Sequence, residues 1–295
     1  MARRAQRLTS NAEGDVFVDD SCIDCEVCRI VAPATFARDD DVGQSIVKLQ
    51  PKGEVERRRA AMALVACPTS SIGAEGLDVK SASRAFPDPI TPEGESPSDV
   101  YFCGYASESS YGAQSWLIRR DDGNVLVDSP RAAKPLIERI RALGGVRFMV
   151  LTHRDDVADH RVFHETFGCE RILHRRDVTS DTRDVERIVD GDDETKLAGD
   201  LVLVPVPGHT AGSVALVHRG THLFSGDHLW GDEEAPGLHA SRSVCWYSWR
   251  EQRRSMQKLL AYDFSWVLPG HGRPHRAPSV EAMRAELRDL VARMG

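Results

Sequence analysis

The alternation of apolar and polar positions divides the chain into short strands and amphipathic helices. Near the N terminus, "SIVKLQ" (45–50) has the pattern of a strand and "EVERRRAAMALVA" (54–66) that of a helix. Apolar residues recur on one face of "KPLIERIRALGG" (134–145), which ends in two glycines and is therefore predicted to be a short helix. A C-terminal helix is predicted to begin at Val280, since Ser279 is a suitable N-cap.

Several strands predicted in the second half of the chain end at a histidine or an aspartate. Apolar residues lead up to a polar end in each of these segments, and helices are predicted between them, so the pattern is that of a mixed α/β domain. Polar residues at strand ends are positions where function collects. The segments are "VLVDS" (125–129), "VRFMVLTH" (146–153), "LVLVPVPGH" (201–209), "LFSGD" (223–227) and "FSWVLPGH" (264–271).

A proline-rich stretch separates two predicted domains. Residues 81–99 read "SASRAFPDPITPEGESPSD", with four prolines and no apolar periodicity, which is typical of an extended linker. We therefore predict a domain over 1–80, a linker over 81–99 and a second domain over 100–295. The segment from 101 to 129 alternates around a "DDGN" turn, which predicts paired strands at the start of the second domain.

Composition excludes several classes of function. The chain has 295 residues, 41% of them hydrophobic, and a formal net charge of −7 with no basic stripe, which argues against nucleic acid as a partner. No apolar run approaches the roughly 18 residues of a membrane span, and the basic N terminus lacks the apolar core of a secretory signal. We expect a cytoplasmic globular protein that does not bind membranes.

Four of the seven cysteines have the spacing of an iron–sulfur site. Cys22, Cys25 and Cys28 stand at three-residue intervals, and Cys67 is followed directly by a proline. Thiolates so spaced can bind three corners of a 4Fe-4S cluster from one loop, while the distant cysteine supplies the fourth. A zinc site is the alternative, although zinc ligands usually come as two pairs of cysteines. The other cysteines, Cys103, Cys169 and Cys245, are interpreted as small core residues.

This first domain resembles a single-cluster bacterial ferredoxin over residues 15–75. The resemblance implies an α+β ferredoxin-like fold and a 4Fe-4S cluster bound by those four cysteines.

The polar strand ends of the second domain, taken in order, resemble the metallo-β-lactamase superfamily. That family combines an H-x-H-x-D-H motif, a G-H pair, an aspartate that bridges two metals and a final G-H pair. The resemblance implies an αββα sandwich over residues 100 to about 275. It also implies that His153 and His209 hold one metal, that Asp159, His160 and His271 hold a second, and that Asp227 bridges them. Asp159 and Asp227 are the predicted catalytic residues, and Asp128 is an orienting acid.

The sequence departs from the family motif at its second histidine. The corresponding position is Asp155, and two extra residues precede the "DH" pair. Asp155 is the favoured replacement ligand, Asp156 is the alternative on the longer loop, and a degenerate or single-metal site remains open. A carboxylate beside the cation weakens its Lewis acidity, and mixed imidazole and carboxylate ligands suit iron or manganese as well as zinc.

Two enzyme functions compete. Two cations about 3.5–4 Å apart can generate a nucleophile at neutral pH and stabilise the resulting oxyanion, which predicts hydrolysis of an ester, thioester, lactone or related carbonyl. Alternatively, the cluster supplies electrons to a di-iron centre, as the resemblance of Asp155 to the carboxylate in flavodiiron proteins implies, although no flavin domain is recognisable. A third hypothesis is a non-catalytic redox sensor or electron carrier. The predicted partners are a small-molecule substrate and a redox partner protein.

Overall fold

The computed structural model describes residues 2–91, 95, 98–232 and 236–295. The backbone divides into two compact units. The first comprises Met1–Asn124, Pro130–Val146 and Arg161–Phe163, and the second Val125–Ser129, Arg147–His160 and His164–Gly295. The predicted first domain therefore shares a unit with the first strands that follow the proline-rich stretch. Of the predicted linker, residues 92–94, 96 and 97 lie outside the described residues.

The N-terminal segment has the α+β organisation expected of a small ferredoxin. Strand β1 pairs with β4, and β2 pairs with β3, both antiparallel. The predicted helix is confirmed as α2, whereas strand β3 ends three residues early because the amide of Lys48 turns to the carbonyl of Thr35. The elements are β1 (Phe17–Val18), α1 (Val27–Val31), β2 (Phe36–Asp39), β3 (Gln44–Val47), α2 (Gly53–Ala66) and β4 (Ile72–Gly73).

The first unit also contains three antiparallel strands and two helices. The paired strands expected after the linker are confirmed by the register of Val100 opposite Ile118. Helix α4 confirms the amphipathic helix predicted over 134–145, and it buries Leu136 and Ile140. These elements are α3 (Val79–Ala82), β5 (Asp88–Pro89), β6 (Val100–Phe102), β7 (Trp116–Ile118) and α4 (Lys134–Ala142).

Two parallel strands of the second unit are followed by loops that contain residues of the predicted metal site. β8 pairs with β9, β9 with β10 and β10 with β11, all in parallel, so their carboxyl ends lie along the same edge. The loop after β8 carries Asp128, and the loop after β9 carries His153 to Asp159. The elements are β8 (Val125–Val127), β9 (Phe148–Val150), α5 (His160–Phe167), β10 (Glu170–His174) and β11 (Arg187–Val189).

A six-stranded sheet, in the order β12-β13-β14-β15-β18-β19, supplies the remaining polar loops. Apolar residues of α6 and α7 pack in one core with residues of β13, β14, β15 and β18. The two helices therefore form a layer on one face of that sheet. The C-terminal helix starts as predicted, with the Ser279 hydroxyl accepting a hydrogen bond from the amide of Ala282. The elements are β12 (Thr195–Ala198), β13 (Leu201–Pro205), β14 (Val214–His218), β15 (His222–Gly226), β16 (Trp230–Gly231), β17 (Leu238–His239), α6 (Trp249–Leu259), β18 (Trp266–Pro269), β19 (His275–Arg276) and α7 (Val280–Arg293).

Within the described ranges, no helix combines the length and the apolar character needed to cross a bilayer.

Candidate metal centre and iron–sulfur site

Three residues from separate loops of the second unit form a first group of metal-competent atoms. Nε2 of His153 lies 3.8 Å and Nε2 of His209 lies 3.6 Å from Oδ2 of Asp227. Both nitrogens are buried and find no hydrogen-bond partner among the residues that the structure describes. Burying a polar atom unpaired is costly, so converging orphaned nitrogens fit a bound cation.

A second group shares the same aspartate. His271 Nδ1 lies 2.9 Å from Oδ1 of Asp227 and 3.9 Å from Oδ2 of Asp156. The side chain of Asp156 is 1% exposed, and its Oδ2 has no hydrogen-bond partner within the described part of the chain. The two groups therefore share Asp227.

Asp155 and Asp156, the two candidates to replace the missing second histidine, lie in different places. Oδ2 of Asp155 lies 4.0 Å from His153 Nε2 and 3.8 Å from His209 Nε2, but half of its side chain is exposed. Asp156, the alternative, lies in the second group, for which the family resemblance implied Asp159. The backbone carbonyl of Asp156 accepts a hydrogen bond from the amide of Ser129.

The remaining two predicted ligands lie outside both groups. Asp159 immediately precedes α5 and belongs to neither set of converging donor atoms in the described residues. His160 begins the helix, and its Nδ1 is 3.1 Å from Nη1 of Arg171. A guanidinium can only donate, so this contact orients the His160 ring towards Arg171.

Buried hydrogen bonds fix the orientation of the first imidazole. Asp128 accepts hydrogen bonds from the amide and the hydroxyl of Thr152, at 2.8 and 2.9 Å. The same hydroxyl is 3.0 Å from Nδ1 of His153, which leaves Nε2 aimed at the site. Asp128 thus has the orienting place predicted for it, although it acts through Thr152. Supporting contacts of this kind select the ring tautomer of a metal-binding histidine.

A buried aspartate that sequence reasoning missed joins two of the site loops. Asp177 accepts hydrogen bonds from the amide of Arg154, the hydroxyl of Thr210 and the amide of Gly212. It therefore connects the loop after β9 with the loop that follows β13. Its position, three residues beyond the end of strand β10, is the signal that could have identified it.

Gly270 is a second missed position. A Cβ atom at this residue would lie 2.6 Å from Oδ2 of Asp156 and 2.7 Å from Oδ1 of Asp227. Any side chain here would displace a carboxylate, so the "PGH" turn needs glycine for packing against the second donor group.

Burial sets the protonation of the donors. It lowers the pKa of the His153 imidazole to about 4, so this ring is neutral at pH 7 and able to bind a metal. Burial raises the pKa of Asp156, and the nearby negative charge of Asp227 adds to that effect. For Asp227 burial acts in the same direction, but the His271 imidazole outweighs it and holds the pKa below its usual range.

An aromatic loop, residues 242–248, is attached to His209. Nδ1 of His209 donates to the carbonyl of Val244 at 2.5 Å, and the amides of Trp246 and Tyr247 donate to the His209 carbonyl at 3.0 Å. The Trp246 side chain is 62% exposed, and its ring centroid is 6.2 Å from that of His209. An exposed aromatic ring thus lies beside the His209 imidazole. Residues 233–235, which precede this loop, lie outside the described residues.

The four predicted cluster cysteines lie in the first unit and are free of disulfides. Burial raises the pKa of Cys25 to about 12 and also raises that of Cys28. The amide of Ser71 donates to Sγ of Cys67 at 3.3 Å. Amide donation of this kind fits a thiolate ligand of an iron–sulfur cluster.

Comparisons with known proteins find one family match and several similar proteins. Residues 18–74 match the family "4Fe-4S single cluster domain of Ferredoxin I". The chain is 32% identical over 120 residues to the hydroxyacylglutathione hydrolase of Xanthomonas campestris pv. campestris, a match that covers 39% of this chain and 46% of the relative. The chain thus spans about half the length of the curated relatives it matches.

Two solved structures have a similar fold at low identity. A metallo-β-lactamase from Pontibacter korlensis is 18% identical, covers 66% of this chain and 97% of its own length, and has a TM-score of 0.48. ETHE1 from Myxococcus xanthus is 17% identical, covers 65% and 84%, and has a TM-score of 0.46. The predicted fold class, a ferredoxin-like domain followed by an αββα sandwich, is confirmed by the family match over residues 18–74 and by the mixed sheets and helices of the structure itself.

Proposed function

We propose that this chain, in which a single-cluster ferredoxin domain is joined to a metallo-β-lactamase-type sandwich, is a metal-dependent hydrolase of a carbonyl substrate. The observation that carries the proposal is the sharing of Asp227 by two groups of donors, His153 with His209 and Asp156 with His271. Two cations held in this way would acidify a shared water and polarise a substrate carbonyl. Zinc, iron and manganese all suit the ligand set.

The chain's own residues have distinct parts in this proposal. His153 enters as a neutral ligand because burial has already lowered its pKa to about 4. Asp155 is half exposed beside the first group, and we assign it as an additional ligand there. Asp227 holds both ions, while Asp128 and Asp177 keep the loops in place. We leave His160 and Asp159 out of the ligand set, because neither belongs to a donor group of the described chain.

Esters, thioesters and lactones are the substrate classes to compare. The name of the curated relatives makes a hydroxyacylglutathione the first thioester to assay, with a simple aryl ester and a lactone beside it. The exposed Trp246 would contact the substrate on the His209 side. The seven free cysteines fit a reducing compartment, so we place the protein in the cytoplasm.

Metal content and turnover test the proposal together. The chain, purified without oxygen, should contain about two divalent ions besides the cluster iron and should hydrolyse one of the three classes. Asp227→Asn should lose metal and lower kcat/KM at least 100-fold or so, since both donor groups lose their common ligand. Asp193→Asn, at an exposed turn, is the control. Full metal loading without hydrolysis of any of the three would contradict the proposal.

A second function, an iron-dependent oxidoreductase, is favoured by the three carboxylates Asp155, Asp156 and Asp227 around the imidazoles. Two histidines with one carboxylate and open positions also form the ligand set of non-haem iron oxygenases. Cys22→Ala separates the two functions. If hydrolysis survives loss of the cluster while the metals stay bound, electron delivery is not part of the reaction; if turnover stops, the redox function is supported.

A further inference from the structure

The loop between β6 and β7 reaches the first unit's cysteines from outside the ferredoxin segment. Gly112, in this loop, has a φ of +85°, and a Cβ atom there would lie 2.5 Å from Cβ and 2.9 Å from Sγ of Cys25. The same atom would lie 3.3 Å from Cγ of Pro68, the residue after Cys67. The backbone of Gly112 therefore packs against Cys25 and against Pro68, the neighbour of Cys67. Only glycine allows so close an approach.

Hydrogen bonds hold this loop against the helix that leads into Cys67. The amide of Ala106 donates to the carbonyl of Ala66 at 3.2 Å, and Nη2 of Arg131 donates to the carbonyl of Val65 at 3.2 Å. The amide of Arg131 in turn donates to the carbonyl of Tyr105 at 2.8 Å. The start of the loop is thus bound to the last turn of α2 directly, through Ala106, and also through Arg131.

We propose that residues 105–112 form part of the iron–sulfur site and exclude water from its Cys25 side. The site then extends beyond residues 18–74, the range of the ferredoxin family match. Solvent exposure is one of the factors that set the reduction potential of such a cluster. Residues that follow the predicted linker would consequently help to set the reduction potential of the cluster and the stability of the cluster in air. This inference rests on the cluster in the proposed function and is independent of hydrolysis.

Gly112→Ala in the full-length chain tests the inference, with Gly53→Ala as the matched control. Gly53 has a φ of +66° and nothing within 4 Å of its Cβ position, so its replacement carries the backbone strain without the contact. Both variants are loaded anaerobically. Iron and sulfide content, the midpoint potential from an EPR-monitored titration, and the rate of bleaching in air are measured.

We expect Gly112→Ala to bleach several-fold faster than Gly53→Ala and to have a shifted midpoint potential. Arg131→Gln removes an anchor without entering the packed contact, and it should change both quantities in the same direction by less. It also keeps the inference testable if Gly112→Ala fails to fold by circular dichroism. If the folded Gly112 and Arg131 variants match the control in both bleaching rate and potential, the loop has no part in the site.

Discussion

At the scale of single residues, the candidate centre depends on buried donor atoms whose side chains are oriented by neighbouring residues of the protein. His153 Nε2, His209 Nε2 and Asp156 Oδ2 are all buried, and none has a hydrogen-bond partner in the described ranges. Both imidazole rings are held through their other nitrogen: the Thr152 hydroxyl orients the His153 ring, and the carbonyl of Val244 orients the His209 ring. Small changes of position should therefore affect metal affinity more than they affect the fold.

Gly270→Ala should weaken metal binding at the second donor group by about tenfold or more, because its Cβ would displace the carboxylates of Asp156 and Asp227. Metal content after dialysis against a graded chelator measures the effect. Gly199→Ala is the matched control, since nothing lies within 4 Å of its Cβ position. Equal metal retention by the two variants would show that Gly270 does not position the carboxylates.

Metal uptake should release protons and weaken on acidification. Burial raises the pKa of Asp156 in the metal-free protein, and a carboxylate must lose its proton before it can bind a cation. We therefore expect metal uptake to release protons, and the affinity for metal should fall as the pH falls. Calorimetric titration in buffers of different ionisation enthalpy measures the number. Asp156→Asn should lower the number of protons released; an unchanged number would contradict the assignment.

Most of the donors could be predicted from the sequence, but the choice between adjacent aspartates could not. His153, His209, Asp227 and His271 each follow an apolar run, and strand ends at one edge of a sheet converge. Which of Asp155 and Asp156 turns inwards depends on the path of a loop with two extra residues, including the contact of the Asp156 carbonyl with Ser129. No periodicity in the sequence reports that path.

At the scale of elements, an ion pair joins β10 to the segment before β11. The Arg171 guanidinium, 3% exposed, donates to both oxygens of Glu186, at 3.0 and 2.7 Å. Burial alone would raise the pKa of Glu186, but these hydrogen bonds outweigh it and lower the pKa to about 2. Arg171 also contacts His160, so the pair holds the start of α5 as well as the strand.

Glu186→Gln should lower the free energy of unfolding at pH 7 by about 2 kcal/mol, because the buried guanidinium loses its counter-charge. A carboxyl whose folded pKa is lowered stabilises above its unfolded value of 4.5, and this contribution is lost as the pH falls towards about 2. The difference from the unmodified chain should therefore shrink between pH 4.5 and 2 in urea titrations. Glu138→Gln, in an exposed pair, is the control. A difference independent of pH would contradict the pairing.

The aromatic loop should affect substrate binding more than the chemical step. Trp246 is attached to His209 through its backbone amide, so Trp246→Ala removes the ring and leaves that hydrogen bond in place. We expect a rise in KM of about tenfold with kcat nearly unchanged, and recovery in Trp246→Phe. Steady-state kinetics on the accepted substrate class measure both constants. A fall in kcat with no change in KM would place Trp246 away from the substrate.

At the scale of the whole molecule, the two kinds of inorganic site belong to different units of the backbone. All four cluster cysteines lie in the first unit, and the donors of the metal centre lie in the second. A proline-rich segment made two domains predictable. The sequence could not indicate that strands after this segment share a unit with the cysteines, because tertiary contacts such as that of Ala106 with Ala66 determine the division.

Two cations held by the shared carboxylate of Asp227 would load in a linked equilibrium. The first cation to bind would fix the rotamer of that side chain and would thereby change the affinity for the second. Thermodynamic reciprocity requires the second ion to alter the first by the same factor. Occupancy measured against free metal concentration should consequently depart from two independent hyperbolas, and replacement of His271 should alter the affinity of the site built on His153 and His209.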